Sequence, residues 1–388
     1  MVIIGAGFTH DIYDRRRVVT IDAARSVRES LDQGYTLPAD WYVDPAVYRL
    51  EQERIFRRSW QYAGHASLVA EPGDYFTCLA GEVPVVVVRD HDGAINAFVN
   101  VCRHRGTQVA SGCGHRETLQ CPYHAWTYDL DGSLRVAPRS EREPGFDKGE
   151  WGLLPVKTDT WGPFVFVNPD VGAAPLADFL GDLPVTVEAS GLDLWSLRPY
   201  GERSEFVIEA NWKIVVENYL ECYHCPVAHP GFSAVIDVDP DAYRLEAHEW
   251  YSSQLGPVRE RALRTRGEGL AYNPTGEITL SQFHYLWPNF TLNVVPGPPN
   301  IAPFWFLPLG EQRTLAVSEP YFAEGADPKV IEDIRAFATE VGREDQDLVE
   351  SVHRGLKSGM VPQGRLLLSS EHLIQHFQRL VCQALGPD

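Results

Sequence analysis

The feature that most constrains the fold of this chain is a set of two cysteines and two histidines on two short segments. The segment NVCRHRG contains Cys102 and His104, and the segment QCPYHAW contains Cys121 and His124. Around them, residues 73–170 form short apolar runs separated by Gly, Pro and Asp turn signals, which is typical of β-hairpins. The sequence therefore predicts an all-β domain in which two loops lie side by side and present four metal ligands.

The arrangement of these ligands distinguishes between two kinds of metal site. A zinc finger keeps its paired cysteines together and its histidines on a helix, whereas here each loop offers one cysteine and one histidine. This favours a [2Fe–2S] cluster of the Rieske type, with two cysteines on one iron and two histidines on the other. A zinc ribbon or four unrelated residues is the alternative. Cys113 and His115, between the loops, are predicted loop residues, and Tyr123 and Trp126 are expected to cover the cluster.

A second group of candidate ligands lies in the segment NWKIVVENYLECYHCPVAHP, where a helix is predicted to begin after Asn211 as its N-cap. Glu221 and His224 are three residues apart and would share one face of this helix. His229 lies five residues further on, and Pro226 is expected to break the helix so that His229 turns back toward the same point. Two imidazoles and one carboxylate on one face of ferrous iron leave open positions for O2 and substrate.

The carboxylate is expected from the C-terminal part of the chain, where residues 328–359 predict a long helical stretch broken near Gly342. Asp345 is the preferred ligand and Asp347 the alternative, although the pattern alone also fits solvated charges on a helix. Cys222 and Cys225 form a Cys-x-x-Cys motif interleaved with His224, and we expect them to be small packing residues beside the metal.

Composition narrows the class of protein. Lys and Arg number 34 against 53 Asp and Glu, a formal net charge of −19, which argues against binding to nucleic acid phosphates. The odd number of cysteines, seven, and the lack of a signal-peptide pattern or a membrane-length apolar run predict a reduced, cytoplasmic protein. The opening VIIGAGFTH has His10 where a dinucleotide fingerprint needs its third glycine, so no nicotinamide or flavin site is predicted.

With both ligand groups in this order, the sequence from about Leu37 to the C-terminus resembles the α subunits of Rieske non-heme iron oxygenases. The resemblance implies an α+β fold, in which an all-β Rieske [2Fe–2S] domain is inserted in a catalytic domain whose central antiparallel sheet is covered by helices. It divides the chain into an N-terminal segment that packs on the catalytic domain (residues 1–40), the Rieske domain (residues 41–170) and the catalytic mononuclear iron domain (residues 171–388).

The resemblance also implies how the centres work together. Such proteins use O2 and take electrons from NAD(P)H through a separate flavin and iron–sulfur reductase, and they assemble as head-to-tail trimers with or without β subunits. Electrons pass from the cluster of one subunit to the iron of its neighbour across a bridging carboxylate. Glu221 occupies the bridge position, between the cluster ligand His124 of the adjacent subunit and the iron ligand His224, and Asp345 falls on the third iron ligand.

The phrases ENYLECYHCPVAHPGF and ESVHRGLKSG are most similar to the branch that acts on quaternary ammonium compounds such as choline, carnitine, glycine betaine and stachydrine. Members of this branch hydroxylate a carbon next to nitrogen, which gives N-dealkylation or alcohol oxidation. The alternatives are a hydroxylase or dioxygenase of an aromatic ring and, from another class, a Rieske ferredoxin. Aromatic residues that could form a cation–π cage for the substrate, or simply pack in the sheet, are Trp250, Tyr251, Phe283, Tyr285, Trp287, Phe290 and Trp305.

Overall fold

The computed structural model describes residues 21–264, Tyr272 and residues 276–386. The dinucleotide-like opening and the first half of the predicted segment 1–40 lie outside these residues. Helix α1 (Ile21–Asp32) is followed by α2 (Asp40–Val43), α3 (Pro45–Glu51) and a π-helical turn at Gln52–Phe56. Asp44 is the N-cap of helix α3 and accepts a hydrogen bond from the backbone N–H of Ala46 at 2.7 Å. Pro45 occupies the first helical position, where no backbone N–H is needed.

The next part of the chain forms a β domain with two sheets. One has seven antiparallel strands in the order β1-β10-β9-β4-β3-β2-β5, and the other has three in the order β6-β7-β8. Their bounds are β1 Gln61–His65, β2 Asp74–Ala80, β3 Val83–Arg89, β4 Ile95–Val99, β5 Cys113–His115, β6 Leu119–Gln120, β7 Thr127–Tyr128, β8 Leu134–Val136, β9 Pro155–Trp161 and β10 Phe164–Asn168.

Strand β3 shows why this domain holds the ligand loops firmly. Its four consecutive valines, residues 85–88, are all fully buried. Because successive side chains of a strand point to opposite faces, Val86 and Val88 belong to the core that also contains Cys102 and Cys121, while the other two valines belong to a core on the far side. The ligand loops lie between β4 and β5 and between β6 and β7, against the first of these cores.

A third sheet, with nine antiparallel strands, forms the centre of the C-terminal part. Its order is β11-β19-β17-β16-β15-β14-β13, and β18 joins β17 to β12. Helices α4 (Leu176–Leu180) and α5 (Leu183–Glu188) connect it to the β domain. The strands are β11 Leu197–Pro199, β12 Ser204–Ile208, β13 Arg244–Ala247, β14 Tyr251–Pro257, β15 Leu280–Leu286, β16 Phe290–Val294, β17 Asn300–Pro308, β18 Thr314–Ser318 and β19 Tyr321–Ala323.

Helices cover this sheet: α6 (Trp212–Tyr219), α7 (Cys225–Ala228), α8 (Pro230–Val235), α9 (Glu260–Arg264), α10 (Pro328–Lys357) and α11 (Leu368–Leu385). The predicted break near Gly342 was wrong, because α10 continues through it without interruption. A Cβ built on Gly342 would meet no atom within 4 Å, and the residue faces a cavity described below. None of the helices within the described part of the chain is long and apolar enough to cross a membrane.

The N-terminal helices pack on the C-terminal helices, so that the β domain is an insertion. Leu31 and Phe56 share a core with Trp212 and Phe377, and Gln375 donates a hydrogen bond to the carbonyl of Leu31 at 2.6 Å. The α+β class with an inserted β domain is thereby confirmed. The boundary at residue 41 stays a prediction, and the packing of α2 and α3 into this shared core favours a later one.

Candidate metal centres

The two ligand loops of the β domain have the same backbone conformation. In the first, the N–H of Cys102 donates to the carbonyl of Thr107 at 2.8 Å, and the N–H of Gly106 donates to the carbonyl of Cys102 at 3.0 Å. The second loop repeats both bonds from Cys121, at 2.8 and 3.1 Å. The residue four positions after each cysteine has a positive φ, 80° at Gly106 and 56° at Ala125. The loops therefore present their cysteines in matching orientations, as a shared metal centre requires.

The four predicted cluster residues differ in exposure. Cys102 and Cys121 are both buried, 2 % exposed, whereas His104 and His124 are exposed. The two imidazole rings lie 4.6 Å apart between centroids, and Trp126 stacks on His104 at 5.0 Å. This arrangement fits a cluster whose cysteine-bound iron is inside the domain and whose histidine-bound iron is at its surface.

The spacing of the same side chains separates the cluster from a zinc site. Four ligands of one zinc ion at about 2.0–2.3 Å lie within about 4 Å of one another. Among the described residues, however, only one group of three or more His, Cys, Asp or Glu residues has ligand atoms within 4.8 Å of one another. That group does not contain the two cysteines and two histidines of the β domain. The four side chains are spaced more widely than the ligands of one ion, and the pairing of the two histidine rings at 4.6 Å fits a cluster with both histidines on one iron.

Tyr128 provides a further test of the fit. Its hydroxyl accepts a hydrogen bond from the backbone N–H of Arg103 at 3.0 Å and lies 3.3 Å from Sγ of Cys102. Either atom of this pair could be the donor, and a metal-bound thiolate at Cys102, which carries no proton, would accept from the hydroxyl.

We expect the substitution Tyr128→Phe to lower the reduction potential of the cluster by tens of millivolts, because hydrogen bonds to the cluster sulfurs stabilise the reduced, more negative state. Redox titration of the purified protein, followed by its visible absorbance, measures the shift. Tyr123→Phe is the matched control, since the hydroxyl of Tyr123 accepts from Arg105 at 3.3 Å. Equal potentials in Tyr128→Phe and the parent protein would contradict the assignment of this bond.

The one group of converging ligand atoms among the described residues consists of His224, His229 and Asp345. Nε2 of His229 lies 3.1 Å from Nε2 of His224 and 3.0 Å from Oδ1 of Asp345, and the third separation is 3.5 Å. Adjacent ligands around an octahedral ion at about 2.1 Å are about 3 Å apart. These three atoms can therefore hold one face of such an ion. Asp347, two residues further along α10, is exposed, since two residues rotate a helix by about 200°.

The local structure around His224 differs from the sequence expectation. The N-cap at Asn211 is confirmed, but α6 already ends at Tyr219, so Glu221 and His224 do not share a helix face. Instead, Glu221 folds its carboxylate back over the following turn, where it accepts from the backbone N–H of His224 at 3.1 Å and also contacts Nδ1 of the same residue. Pro226 does not break a helix either, because it lies in the first turn of α7.

Each of the three ligands is oriented by a second residue. Glu221 pairs with Nδ1 of His224, Glu344 lies 2.7 Å from Nδ1 of His229, and Asn218 donates to Oδ1 of Asp345 at 2.6 Å. Partners of this kind fix the tautomer of a metal-binding histidine, so that the other nitrogen faces the ion. Glu344 and Asn218 were not identified from the sequence, because a carboxylate beside Asp345 and an amide near Glu221 carry no distinctive spacing.

Electrostatics at this group are dominated by the three carboxylates. Burial alone would lower the pKa of His224, but Asp345 and Glu221 outweigh burial and raise it to about 9. Burial would likewise raise the pKa of Asp345, whereas its hydrogen bonds to the two histidines and Asn218 lower it to about 2. Without a metal the group holds a proton at neutral pH, and a divalent cation that binds here must displace it.

Cys222 and Cys225 are joined by a disulfide bond. The expectation that all cysteines are reduced, and that these two are only small packing residues, was therefore wrong for this pair. The three-residue spacing and the turn at 221–224 bring the two sulfurs together. The bond encloses Tyr223 and His224 in a small ring, which restricts the backbone that carries the candidate ligand His224.

Comparisons with known proteins agree with these two centres. Residues 59–157 match the family model described as Rieske [2Fe-2S] domain, and residues 195–386 match the ring hydroxylating alpha subunit (catalytic domain). The carnitine monooxygenase oxygenase subunit of Acinetobacter pittii is 36% identical over 365 residues, which cover 91% of this chain and 95% of the relative. The chain belongs to the Rieske non-heme iron oxygenase family. As an oxygenase of this family it carries a Rieske [2Fe–2S] cluster and a mononuclear iron, and it uses O2.

Other relatives of this Rieske oxygenase include enzymes that are named for quaternary ammonium substrates. The chloroplastic choline monooxygenase of Spinacia oleracea is 35% identical, over 91% of this chain and 79% of the relative. The crystal structure of the quaternary ammonium Rieske monooxygenase CntA in complex with L-carnitine superposes with a TM-score of 0.79 at 33% identity, covering 92% of this chain and 98% of that one. A naphthalene 1,2-dioxygenase from Rhodococcus, at 21% identity, shares the fold. Rieske oxygenase α subunits work with a reductase and form multimers.

A cavity of about 180 Å³ in this Rieske oxygenase reaches His224, His229 and Asp345. Of the seven aromatic residues considered for a substrate cage, only Phe283 lines it. Strand alternation explains part of the difference. In β17, Phe304 and Phe306 face the cavity, while Trp305 between them packs into the core on the other side of the sheet. The remaining residues also lie in the hydrophobic cores: Trp250, Tyr251, Tyr285, Trp287 and Phe290.

Proposed function

We propose that this Rieske oxygenase is a monooxygenase of a small quaternary ammonium compound and hydroxylates a carbon next to the nitrogen. One oxygen atom of O2 enters the C–H bond, and the other leaves as water with two electrons and two protons. The hydroxylated carbon next to nitrogen then releases an amine and an aldehyde. In a substrate such as choline, hydroxylation of the alcohol carbon, one position further from nitrogen, would instead give a geminal diol that loses water to form the aldehyde. The observation that supports the substrate class best is the cavity itself, which ends at His224, His229 and Asp345 and is lined by aromatic rings.

In this proposal Cys102, His104, Cys121 and His124 hold the cluster. His224, His229 and Asp345 hold ferrous iron, which supplies O2 activation when it is bound. Glu221 keeps the Nδ1 proton on His224, and Glu344 does the same for His229, so that both Nε2 atoms face the metal.

The substrate is held by the cavity walls. The faces of aromatic rings attract a trimethylammonium group, and such rings line the cavity, whose inner end, where the reaction takes place, carries Glu221 and Asp345. The apolar remainder of the lining excludes water from that end. We place the C–H bond that reacts beside these ligands, with the rest of the substrate extending toward β14 and β15.

The proposal extends to assembly. Glu221 is the carboxylate that would connect His224 with His124 of an adjacent subunit in a head-to-tail trimer, since it already contacts Nδ1 of His224 and its side chain is 11% exposed. His124, on the other side of that junction, is exposed. A separate reductase supplies electrons from NAD(P)H, which supports a cytoplasmic location where that cofactor is abundant.

The test is product formation by iron-loaded protein with a surrogate reductase, NADH and O2. Choline, carnitine, glycine betaine and a set of small aromatic compounds are compared, and aldehyde formed is measured against O2 consumed. We expect aldehyde from at least one quaternary ammonium compound and none from the aromatics. Hydroxylation of an aromatic compound alone would contradict the proposal, and electron transfer without any product would support a simple electron carrier.

Glu344 provides a prediction specific to this chain. The substitution Glu344→Ala is expected to weaken Fe(II) affinity about 10–100-fold, because loss of the partner of a metal-bound histidine typically costs this much. Anaerobic chelator competition measures the affinity. Glu344→Gln retains an acceptor for Nδ1 of His229 and should recover part of the loss, whereas Glu340→Ala, one turn earlier on the exposed side of α10, should change nothing. An unchanged affinity in Glu344→Ala would contradict the role.

A further inference from the structure

The acidic and basic side chains that line the described part of the cavity are all acidic. Among the described residues that form its wall there is no Lys or Arg, and the acidic side chains are Glu221 and Asp345. The two positive charges of ferrous iron are balanced by these two carboxylates. The lining tyrosines are neutral, since burial raises the pKa of Tyr219, Tyr243 and Tyr272. The described part of the wall thus offers no positive side chain that would compensate a carboxylate on the substrate.

A buried acceptor lies in the same wall. Gln254, on β14, is 2% exposed and lines the cavity. Its Nε2 donates to the carbonyl of Tyr219, which fixes the orientation of the amide because only the nitrogen can donate. Its Oε1 has no hydrogen-bond partner among the described residues. A buried carbonyl oxygen without a donor is destabilising, so a bound molecule with an O–H group would be stabilised at this point.

From these two observations we propose that the native substrate is a quaternary ammonium alcohol, a monocation with a hydroxyl group and without a carboxylate, and that Gln254 Oε1 accepts a hydrogen bond from that hydroxyl. This inference rests on the proposed function and narrows its substrate class. A carboxylate in the same position would place acceptor against acceptor, and it would bring a negative charge to a wall whose described residues include no Lys or Arg to pair with it. Gln254 is accordingly a specificity-determining residue.

Four substrates of similar size separate the two contributions. Choline carries the hydroxyl, glycine betaine replaces it with a carboxylate, ethyltrimethylammonium has neither group, and carnitine has both. With iron-loaded enzyme and a surrogate reductase, we expect kcat/KM to be highest for choline, about tenfold lower for ethyltrimethylammonium and at least a hundredfold lower for the two carboxylates. Equal or better use of glycine betaine or carnitine would overturn the inference and leave the proposed function intact. Turnover of none of the four would overturn both.

The variant Gln254→Met tests the assigned atom. Methionine has a similar length but no acceptor of comparable strength, so kcat/KM for choline should fall about tenfold relative to kcat/KM for ethyltrimethylammonium. The substitution also removes the hydrogen bond from Nε2 to the carbonyl of Tyr219, but this loss should affect both substrates equally. The ratio of kcat/KM for choline to kcat/KM for ethyltrimethylammonium therefore reports the contribution of Oε1 alone. An unchanged ratio would show that Gln254 does not bind the hydroxyl and would overturn its assignment.

Discussion

Replacing His224 by alanine is expected to abolish product formation while the Rieske cluster stays in place. The substitution removes one of the three ligand atoms that lie 3.0–3.5 Å from one another. Loss of a residue that only hydrogen-bonds to a metal ligand lowers the metal affinity about 10–100-fold. Loss of the ligand itself should therefore lower the affinity by more than about a hundredfold. The iron content should fall from about three to about two atoms per chain, because the cluster has its own four ligands in the other domain.

Two measurements on His224→Ala separate this result from unfolding. The visible absorbance of the oxidised cluster and the electron paramagnetic resonance signal of the reduced cluster should match those of the parent protein, while aldehyde formation is lost. His91→Ala is a matched control, because His91 lies exposed in the turn between β3 and β4 and contributes to neither centre. Product formation by His224→Ala at the parent rate would show that the mononuclear iron is not held at this position.

The sequence was sufficient for residues whose role follows from spacing. The Cys-x-His and Cys-x-x-His loops carry their own turn signals. The shared turn also needs a positive φ four residues after each cysteine, which glycine supplies in one loop and Ala125, less predictably, in the other. The all-β insert and the helix begun by Asn211 are local features too, because alternation and N-caps are readable over a few residues.

What the sequence could not supply was set by contacts between distant parts of the chain. Glu344 meets His229 across 115 residues, and no local pattern marks such a pair. The choice of cavity-facing aromatics failed for a related reason. Composition identifies an aromatic strand, but the face that Trp305 or Phe304 presents depends on the register of β17 against its neighbours. The early end of α6 follows from tertiary contacts, since the carbonyl of Tyr219 is used by Gln254 from the sheet.

The second large effect is expected at Glu221. Gln replaces the carboxylate by an amide of the same shape, which has no charge and only one oxygen, so that it can accept from the backbone N–H of His224 or from Nδ1 of His224 but not from both. We expect Glu221→Gln to keep its cluster and to bind iron more weakly than the parent protein, so the variant is loaded with iron before the two are compared. Electron transfer between the two centres should nevertheless slow by at least about a hundredfold, because the charged group that would connect His224 with His124 of the neighbouring subunit is gone.

Single-turnover experiments on Glu221→Gln measure this directly. The reduced, iron-loaded protein is mixed with substrate and O2, and oxidation of the cluster is followed by its visible absorbance. Glu344→Gln is the matched control, because it makes the same change beside the other histidine, at 2.7 Å from Nδ1 of His229, but lies outside the proposed connection. Once loaded with iron, it should oxidise its cluster at the parent rate. Equal rates in Glu221→Gln and the parent protein would mean that electrons reach the iron by a route that does not depend on this carboxylate, and slow rates in both variants would assign the effect to the iron site as a whole.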